Sequence, residues 1–432
     1  MTTGVIPRTA RSMQARLFVM MALQVGGWGA WAVKLFPYMS MQGYSAGQQA
    51  LVGSSWGIAS ILAIFFSNQF ADRNFAAERF LAASHAMGAL FLIGAAYASS
   101  FGAFFGCYLA YSLLYVPTLS VTNSIAFANL PDPARQFGTV RTGGTIGWVI
   151  ASWPFIFLLG AHATGQQMRW IFLVSAMISL ALAGFALTLP HTAPRRSTAL
   201  DPLAWRRAVM ALKRPDLAIL FLVTFIDSIV HNGYFVVSDA FLTDRVGIAG
   251  NLSMVVLSLG QIAEILAMLV LGRVLARLGW RRTMIIGILA HMARFLIFAF
   301  APDHVPIIIA VQFLHGICYA FFFATLYIYV DGAFPKDVAV SAQGLFNLLI
   351  LGVGMMIASY VFPKLMSLLS HGVQGSGKVV VDYQTLFLIP SGLAALASLL
   401  LLLFFRPTSF GPAPTESMRA GPELALEPGA GA

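Results

Sequence analysis

Long apolar runs separated by short polar segments extend over most of the chain. A membrane-spanning helix needs about 20 apolar residues, because about 30 Å of hydrocarbon is crossed at 1.5 Å per residue. Alternating segments of about ten residues, typical of β-barrel strands, do not occur. We therefore predict an all-α polytopic membrane protein. Twelve runs are predicted to span the membrane: residues 15–38, 46–70, 79–99, 101–126, 139–161, 168–189, 217–242, 247–272, 282–301, 305–330, 340–362 and 383–405.

The composition supports this class. The chain is 59% hydrophobic and 10% charged, with a mean hydropathy of +0.80, whereas soluble domains have about 25% charged residues. Cys107 and Cys318 lie in separate predicted spans, so no disulfide framework is expected. The basic N-terminus leads into a full-length apolar run without a clear cleavage site, which predicts an uncleaved first helix.

The basic residues are distributed asymmetrically between the two sides of the predicted bundle. Twenty of the 26 Lys and Arg residues lie at the termini or in loops on the same side as the termini. Because basic loops stay in the cytoplasm, both termini are predicted to be cytoplasmic and the protein to lie in the cell (inner, or cytoplasmic) membrane. The net charge of +10 therefore reflects membrane topology, and no nucleic-acid partner is expected.

The longest internal loop, at residues 190–216, divides the spans six and six. We predict an N-terminal bundle at 1–189, a basic linker at 190–216, a C-terminal bundle at 217–405 and a disordered Pro- and Gly-rich tail at 406–432.

Two loops about half a chain apart, NQFADRNFAAER and GRVLARLGWRR, repeat a loose pattern. Two six-helix bundles joined by a cytoplasmic linker resemble the major facilitator superfamily, in which solutes bind between the halves. The second loop is similar to that superfamily's gating motif, with Ala276 in place of its Asp. The candidate gating residues are Asp72, Arg73 and Arg277.

A row of polar side chains lies on the fifth predicted span. Arg141, Thr145 and Trp148 recur at i, i+4 and i+7, so they share one helical face. A guanidinium, a hydroxyl and an indole in line suit a solute with hydroxyls and a ring. The alternative is that Arg141 neutralises lipid phosphate at the end of the helix. Gly143 and Gly147, at G-x-x-x-G spacing, predict close helix packing.

Two further polar pairs interrupt the seventh and eighth spans, where an intramembrane charge costs about 2.5–3.5 kcal/mol. Asp227 and His231 are i, i+4, followed by Asn232, and form either a proton relay or a local ion pair. Gln261 and Glu264 are i, i+3 and face the same side. Glu264 is a candidate both for proton exchange and for binding solute hydroxyls.

The strings LQVGGWGAW, YVPTLSVTNSIAFANLPD, VRTGGTIGWV, GQIAEI and AQGLF together resemble the bacterial nucleoside:proton symporter family of the major facilitator superfamily. The resemblance extends from about residue 16 to residue 405 and implies proton-driven uptake of a nucleoside or similar polar solute. By resemblance, the substrate-binding residues would be Arg141, Thr145, Trp148, Asn232, Gln261, Glu264 and Tyr319. Gln261 and Glu264 would bind the ribose, and Tyr319 would stack near the base.

Two departures from that family affect specificity and coupling. The nucleoside permeases carry a Gln and an Asn on the seventh span, where this chain has Asn232 and Phe235 or, in a shifted register, Ile229 and Asn232. They also carry an acid directly after the tenth-span aromatic, where this chain has Ala320. Asp227 is a candidate to take over part of that acid's role, beside His231 and Glu264.

The sequence thus predicts a monomeric, proton-coupled importer working by alternating access, with solute, proton and lipid bilayer as its partners. The alternatives are a permease for another polar solute such as a sugar derivative, a facilitator without proton coupling, or a solute sensor that does not transport. No catalytic constellation or metal-ligand set stands out in the sequence, so neither an enzyme nor a cofactor is expected.

Overall fold

A computed structural model describes residues 8–63, 75–193, 209–334, 336–372 and 379–407, and it is helical at each of the twelve predicted spans. The first six spans are Arg8–Gly29 with Leu35–Met41, Ala46–Leu62, Ala77–Ala96, Phe101–Asn129, Pro133–Ser152 with Phe155–Leu158, and Gly165–Met168 with Trp170–Ala186. The others are Pro215–Ala240 with the π-helix Phe241–Arg245, the two parts of Ser253–Phe300, Val305–Ala310 to Thr325–Ala333, Lys336–Asn347 to Gly354–Leu368, and Tyr383–Phe404.

Eight helices within the described residues are long and apolar enough to cross a membrane. One of them covers both the eighth and the ninth spans, and the first, second and fifth spans fall below that test. The fold class predicted from the sequence is therefore confirmed, since helices occupy all twelve segments.

The sequence predicted a loop between the eighth and ninth spans, but in the structure a single helical segment joins them. Ser253–Phe300 is helical throughout except at Gly279, whose φ of 73° lies in the left-handed region. Glycine tolerates this conformation because it has no Cβ, so the chain turns there within one residue. Arg277 lies just before this turn and is exposed, whereas Asp72 and Arg73 lie outside the described residues. The gating role of all three stays a prediction.

The first and fifth spans pack backbone to backbone, as the glycine spacing predicted. A Cβ on Gly147 would overlap the backbone of Ala22, and one on Gly143 would lie 2.5 Å from the carbonyl oxygen of Phe18. Larger side chains would push these helices apart, so the fifth span is held at a fixed distance from the first.

A short antiparallel ladder adds a little β structure to the helical fold. Strand β1, Ser370–Gly372, pairs with strand β2, Val379–Val381. The valine run in β2 explains the strand, because β-branched residues favour extended backbone.

The two halves are joined at the end of the bundle opposite the chain termini, which we call the far end. The Gly250 amide donates to the Ala161 carbonyl at 3.0 Å, and the Asn251 side chain donates to the Ile156 carbonyl at 3.0 Å. Within the described residues, every hydrogen bond between the halves lies in the far half of the bundle. The structure is therefore closed at the far end, and the end that carries the termini is called the near end.

Candidate functional site

Arg141, Glu264 and Tyr319 meet between the two halves. The Arg141 guanidinium lies beside the Tyr319 hydroxyl and interacts electrostatically with the Glu264 carboxylate. Arg141 is exposed and Glu264 is partly exposed, so water can reach them. Because Arg141 interacts with Tyr319 and Glu264 of the other half, it points into the bundle and not towards lipid phosphate. The cluster therefore contains charge from both halves.

Close packing of the eighth and tenth spans fixes the position of Glu264. A Cβ on Gly316 would overlap the backbone of Ala263 and Glu264. The tenth span continues directly into the π-helix Tyr319–Ala324, a form that is common at functional sites. Tyr319 is thereby presented beside Glu264.

Aromatic rings line the neighbouring part of the same region. Trp148 is 6% exposed, with Trp28 at 5.1 Å and Phe235 of the other half at 6.1 Å between ring centroids. Trp28 also stacks on Trp56 at 4.9 Å and is partly exposed. Thus Trp148 is largely covered, and Trp28 is the more accessible ring. Sequence reasoning missed Trp28, although the string LQVGGWGAW contains it.

Two more polar residues near the cluster were also missed. The Tyr327 hydroxyl donates to Asn347 Oδ1 at 2.5 Å, and both side chains are partly buried. Tyr327 interacts electrostatically with Tyr319 and Arg141, so this pair borders the site. Thr145 is partly exposed on the fifth span. A tyrosine and an asparagine in facing apolar spans were the only sequence signal for the pair.

Asn232 of the seventh span was predicted to bind solute, but its amide nitrogen is hydrogen-bonded within the protein. Its amide nitrogen donates to the carbonyls of Ser228 and Ile350, both at 2.8 Å. These bonds tie the seventh span to the π-helix Leu348–Val353. The amide hydrogens of Asn232 are therefore occupied within the protein, which leaves only its oxygen for a solute.

Ala320 is fully buried in an apolar cluster that includes Ala267 and Leu271 of the eighth span. The tenth-span position at which the family resemblance implied an acid is thus apolar in this protein. Any coupling acid must lie elsewhere.

A buried polar chain links the seventh and ninth spans. His291 Nδ1 lies 2.9 Å from Asp227 Oδ1, and His291 Nε2 lies 3.4 Å from His231 Nδ1. Asp227 and His291 are fully buried. The predicted direct Asp227–His231 pair is therefore wrong: the ring of His291 from the ninth span lies between them. Sequence spacing could not reveal this partner, because it lies 64 residues from Asp227.

A second arm of buried polar residues reaches the eighth span. Arg294 Nη1 lies 3.0 Å from His315 Nδ1, and His315 Nε2 lies 3.4 Å from Gln261 Nε2. The Arg294 guanidinium also lies 3.8 Å from the centre of the Tyr234 ring. Arg294 thus stays within the C-terminal half, and Gln261 connects this arm to the site at Glu264.

The N-terminal half contains a buried network without formal charge. His85 lies 2.7 Å from Ser179 Oγ and 2.8 Å from Gln24 Oε1, and Gln24 donates to Thr118 at 2.8 Å. Every partner of His85 in this network is a neutral side chain. The two halves therefore differ in where they bury charge.

A buried ion pair joins the halves at the far end. Lys34, at the end of the first span, lies 2.8 Å from Asp239 of the seventh. Lys34 also donates to the Gly250 carbonyl and to Ser253 Oγ, both at 2.7 Å. The two charged side chains are 4% and 2% exposed. All bonds of this ammonium group cross between the halves, so opening the far end must break them.

Comparisons with known proteins identify the family of the chain. Residues 11–409 match the family model described as nucleoside H+ symporter. The chain is 30% identical to the putative nucleoside transporter YegT of Escherichia coli K12 over 400 residues, which are 91% of this chain and 93% of that protein. It is 27% identical to the xanthosine permease of the same organism over 413 residues, covering 91% and 96% of the two chains.

Comparison with solved structures also finds membrane transporters. A crystal structure of the nucleoside transporter NupG superposes with a TM-score of 0.80 at 25% identity, covering 91% of this chain and all of that chain. A bacterial homologue of the lysosomal transporter Spinster, in an inward-facing conformation, has a TM-score of 0.72 at 14% identity over 93% and 98% of the two chains, which supports the fold. The chain belongs to the nucleoside:H+ symporter family, a family of membrane transporters.

Proposed function

We propose that this protein imports nucleosides together with protons by alternating access, and that its solute site is built around Arg141 and Glu264. The observation that carries the proposal is the position of Arg141 beside Tyr319, together with its electrostatic interaction with Glu264 across the two halves. A solute bound there touches both halves, so its binding can bias their relative orientation.

The chemistry of the cluster suits a nucleoside. The Glu264 carboxylate accepts hydrogen bonds from ribose hydroxyls, and Gln261, one helical turn away, adds an amide. Arg141 provides fixed donors for base or sugar oxygens. The rings of Trp28 and Tyr319 offer surfaces on which a base can stack.

The far end is closed and Arg141 is reachable by solvent, so this conformation exchanges solute at the near end. Rocking of the halves would break the Lys34–Asp239 contact and open the site to the other side. Transport then alternates between these two arrangements.

The near end is the cytoplasmic end in this proposal, because it carries most of the basic loops. The protein would act as a monomer in the bacterial inner membrane, with both termini inside. Fusions of green fluorescent protein and of alkaline phosphatase to the C-terminus test this orientation. Fluorescent and phosphatase-negative cells are expected; active phosphatase would reverse the orientation.

A permease for another polar solute, such as a sugar derivative, is the second candidate. It is favoured by the apolar surroundings of Ala320 and by the occupied amide hydrogens of Asn232. The first feature removes an acid that the nucleoside permeases have by resemblance, and the second leaves only the side-chain oxygen of Asn232 for a solute.

The deciding experiment measures uptake of labelled uridine and adenosine in a permease-deficient bacterium, with and without a protonophore. Glu264→Gln removes a charged acceptor whose hydrogen bonds contribute about 1.5–3 kcal/mol, so apparent affinity should fall about 10- to 100-fold. The exposed loop carboxylate Asp303 provides the control Asp303→Asn, which should transport normally.

Nucleoside symport is supported if the protonophore abolishes uptake and Glu264→Gln impairs it. Protonophore-resistant uptake would indicate a facilitator. Absence of nucleoside uptake by protein shown to be in the membrane would favour the second candidate.

A further inference from the structure

The buried chain of Asp227, His291 and His231 has no role in the solute contacts described above. We propose that this chain, the relay, stores the coupling proton during transport, and that His315 links its charge to Gln261 in the solute site. The inference rests on the proposed nucleoside:proton symport and adds to it the group that holds the proton.

Hydrogen-bond roles along the relay follow from the chemistry of imidazole. An ionised carboxylate only accepts, so His291 Nδ1 donates its proton to Asp227 across 2.9 Å. A neutral imidazole carries one N–H, so His291 Nε2 accepts from His231 Nδ1. His231 Nε2 is then left without a proton and can receive one.

Proton storage needs no ring rotation. A proton from water binds His231 Nε2, and the Nδ1 proton of His231 passes to His291 Nε2. His291 then carries two protons beside the Asp227 carboxylate, and His231 is neutral with its proton on Nε2. Release reverses the same two transfers. One proton enters or leaves and no other bond changes, so the relay is reversible.

Burial is graded along this path. His231 is 8% exposed, whereas His291 and Asp227 are fully buried. The ring of His231 lies 6.2 Å from that of Tyr319, which belongs to the solute cluster. His231 is therefore the entry point from the site, and the proton rests at the deeper His291.

The second arm connects the relay to the solute. Arg294 can only donate, so His315 accepts through Nδ1 and carries its proton on Nε2, which faces Gln261. Two N–H groups cannot bond each other, so the Gln261 amide is assigned the flipped orientation, in which its oxygen accepts from His315 Nε2. This leaves the Gln261 amino group free to donate to a solute.

Stacked rings bring the two arms close enough to interact electrostatically. The rings of His231 and His315 are 5.3 Å apart with an interplanar angle of 21°. Storage of a proton at His291 moves the proton of His231 from Nδ1 to Nε2, so the dipole of the ring stacked on His315, which orients Gln261, is changed. Solute binding and proton storage are coupled through this pair.

The charges around the relay are few. Asp227 is its acid and Arg294 its fixed cation; the other titratable neighbours are His315, Cys318, Tyr234 and Tyr319. Within the described residues, Asp227 Oδ2 and two Arg294 nitrogens have no hydrogen-bond partner.

A structural network does not require buried charge of this kind. The N-terminal half cross-links its spans around His85 with neutral side chains only. Ionisable groups inside a membrane protein are costly and mark functional paths, so this difference between the halves favours proton storage over cross-linking.

The test uses purified full-length protein in proteoliposomes, with labelled uridine as the solute. His291→Asn keeps a donor for Asp227 but cannot carry a proton onward. The double variant Asp227→Asn/His291→Asn avoids leaving a buried carboxylate without its partner. His85→Asn is the matched control from the N-terminal half. Two quantities are measured: counterflow at equal pH, and accumulation driven by an inward proton gradient.

We expect both relay variants to keep counterflow near the wild-type rate and to lose accumulation, so that inner and outer concentrations become equal. They should also lose uridine-dependent acidification of the lumen, read with a trapped pH dye. His85→Asn should keep the wild-type ratio of accumulation to counterflow.

Accumulation by either relay variant would overturn the inference. Loss of counterflow together with accumulation, in protein that elutes as a single species, would also overturn it, because that result indicates a structural role. Failure of the proposed function looks different, since wild-type protein itself would then show no uridine counterflow.

Discussion

The Lys34–Asp239 ion pair at the far end offers a direct test of how this transporter closes. The ammonium group of Lys34 donates hydrogen bonds to three groups of the C-terminal half, at 2.7–2.8 Å: the Asp239 carboxylate, the Gly250 carbonyl and Ser253 Oγ. When the far end opens, both charges return to water. The perturbation is to remove one charge, with Lys34→Met or Asp239→Asn.

Removing one partner of a buried pair leaves an uncompensated charge and costs about 3–5 kcal/mol. That cost applies only to the closed state, because an open far end hydrates the remaining charge. The equilibrium should therefore shift towards far-open forms by about 100-fold to a few thousand-fold. The neutral double variant Lys34→Met/Asp239→Leu should restore closure, since replacing a buried pair by apolar groups is often neutral.

Spin-label distances measure this equilibrium. Cys107 and Cys318 are replaced by alanine in a background that still transports, and labels are placed at the exposed residues Gln42 and His304 of the far end. Each single variant should give a longer far-end distance than the parent, and the double variant should return to the parent distance. If the single variants keep the parent distance distribution, the pair does not hold the halves together and the reasoning fails.

Two predictions concern stability. Gly147→Leu should prevent folding, because even a Cβ there overlaps the Ala22 backbone; size-exclusion profiles check this against Gly138→Ala, where a Cβ meets nothing within 4 Å. Asp382 caps the twelfth span through Thr385, and Asp382→Ala should cost about 1 kcal/mol. Hydrogen bonds from the Thr385 hydroxyl and backbone hold the pKa of Asp382 below its ordinary value, so this stabilisation is complete above about pH 4 and is lost as pH falls through the folded-state pKa. Melting of wild type and Asp382→Ala from pH 7 to pH 3 should show their difference shrink; a constant difference would contradict the cap.

Sequence reasoning succeeded where one helix carries the information. The apolar runs located every span, and the spacing of Gly143 and Gly147 located a close helix contact. It failed for Asp227 and His231, which share a helical face but have the ring of His291 between them. It also missed Trp28, whose exposure depends on how the spans pack around it.

The sequence by itself determined the fold class, because the bilayer requires apolar runs of about 20 residues and each run is a local property. It also located the intramembrane polar residues, since their cost makes them rare. Only the tertiary structure decided how these residues combine. Lys34 meets Asp239 across 205 positions, and Gln261 meets His315 across 54. Such pairs arise when whole helices pack, and helix packing depends on contacts among many residues that no local pattern records.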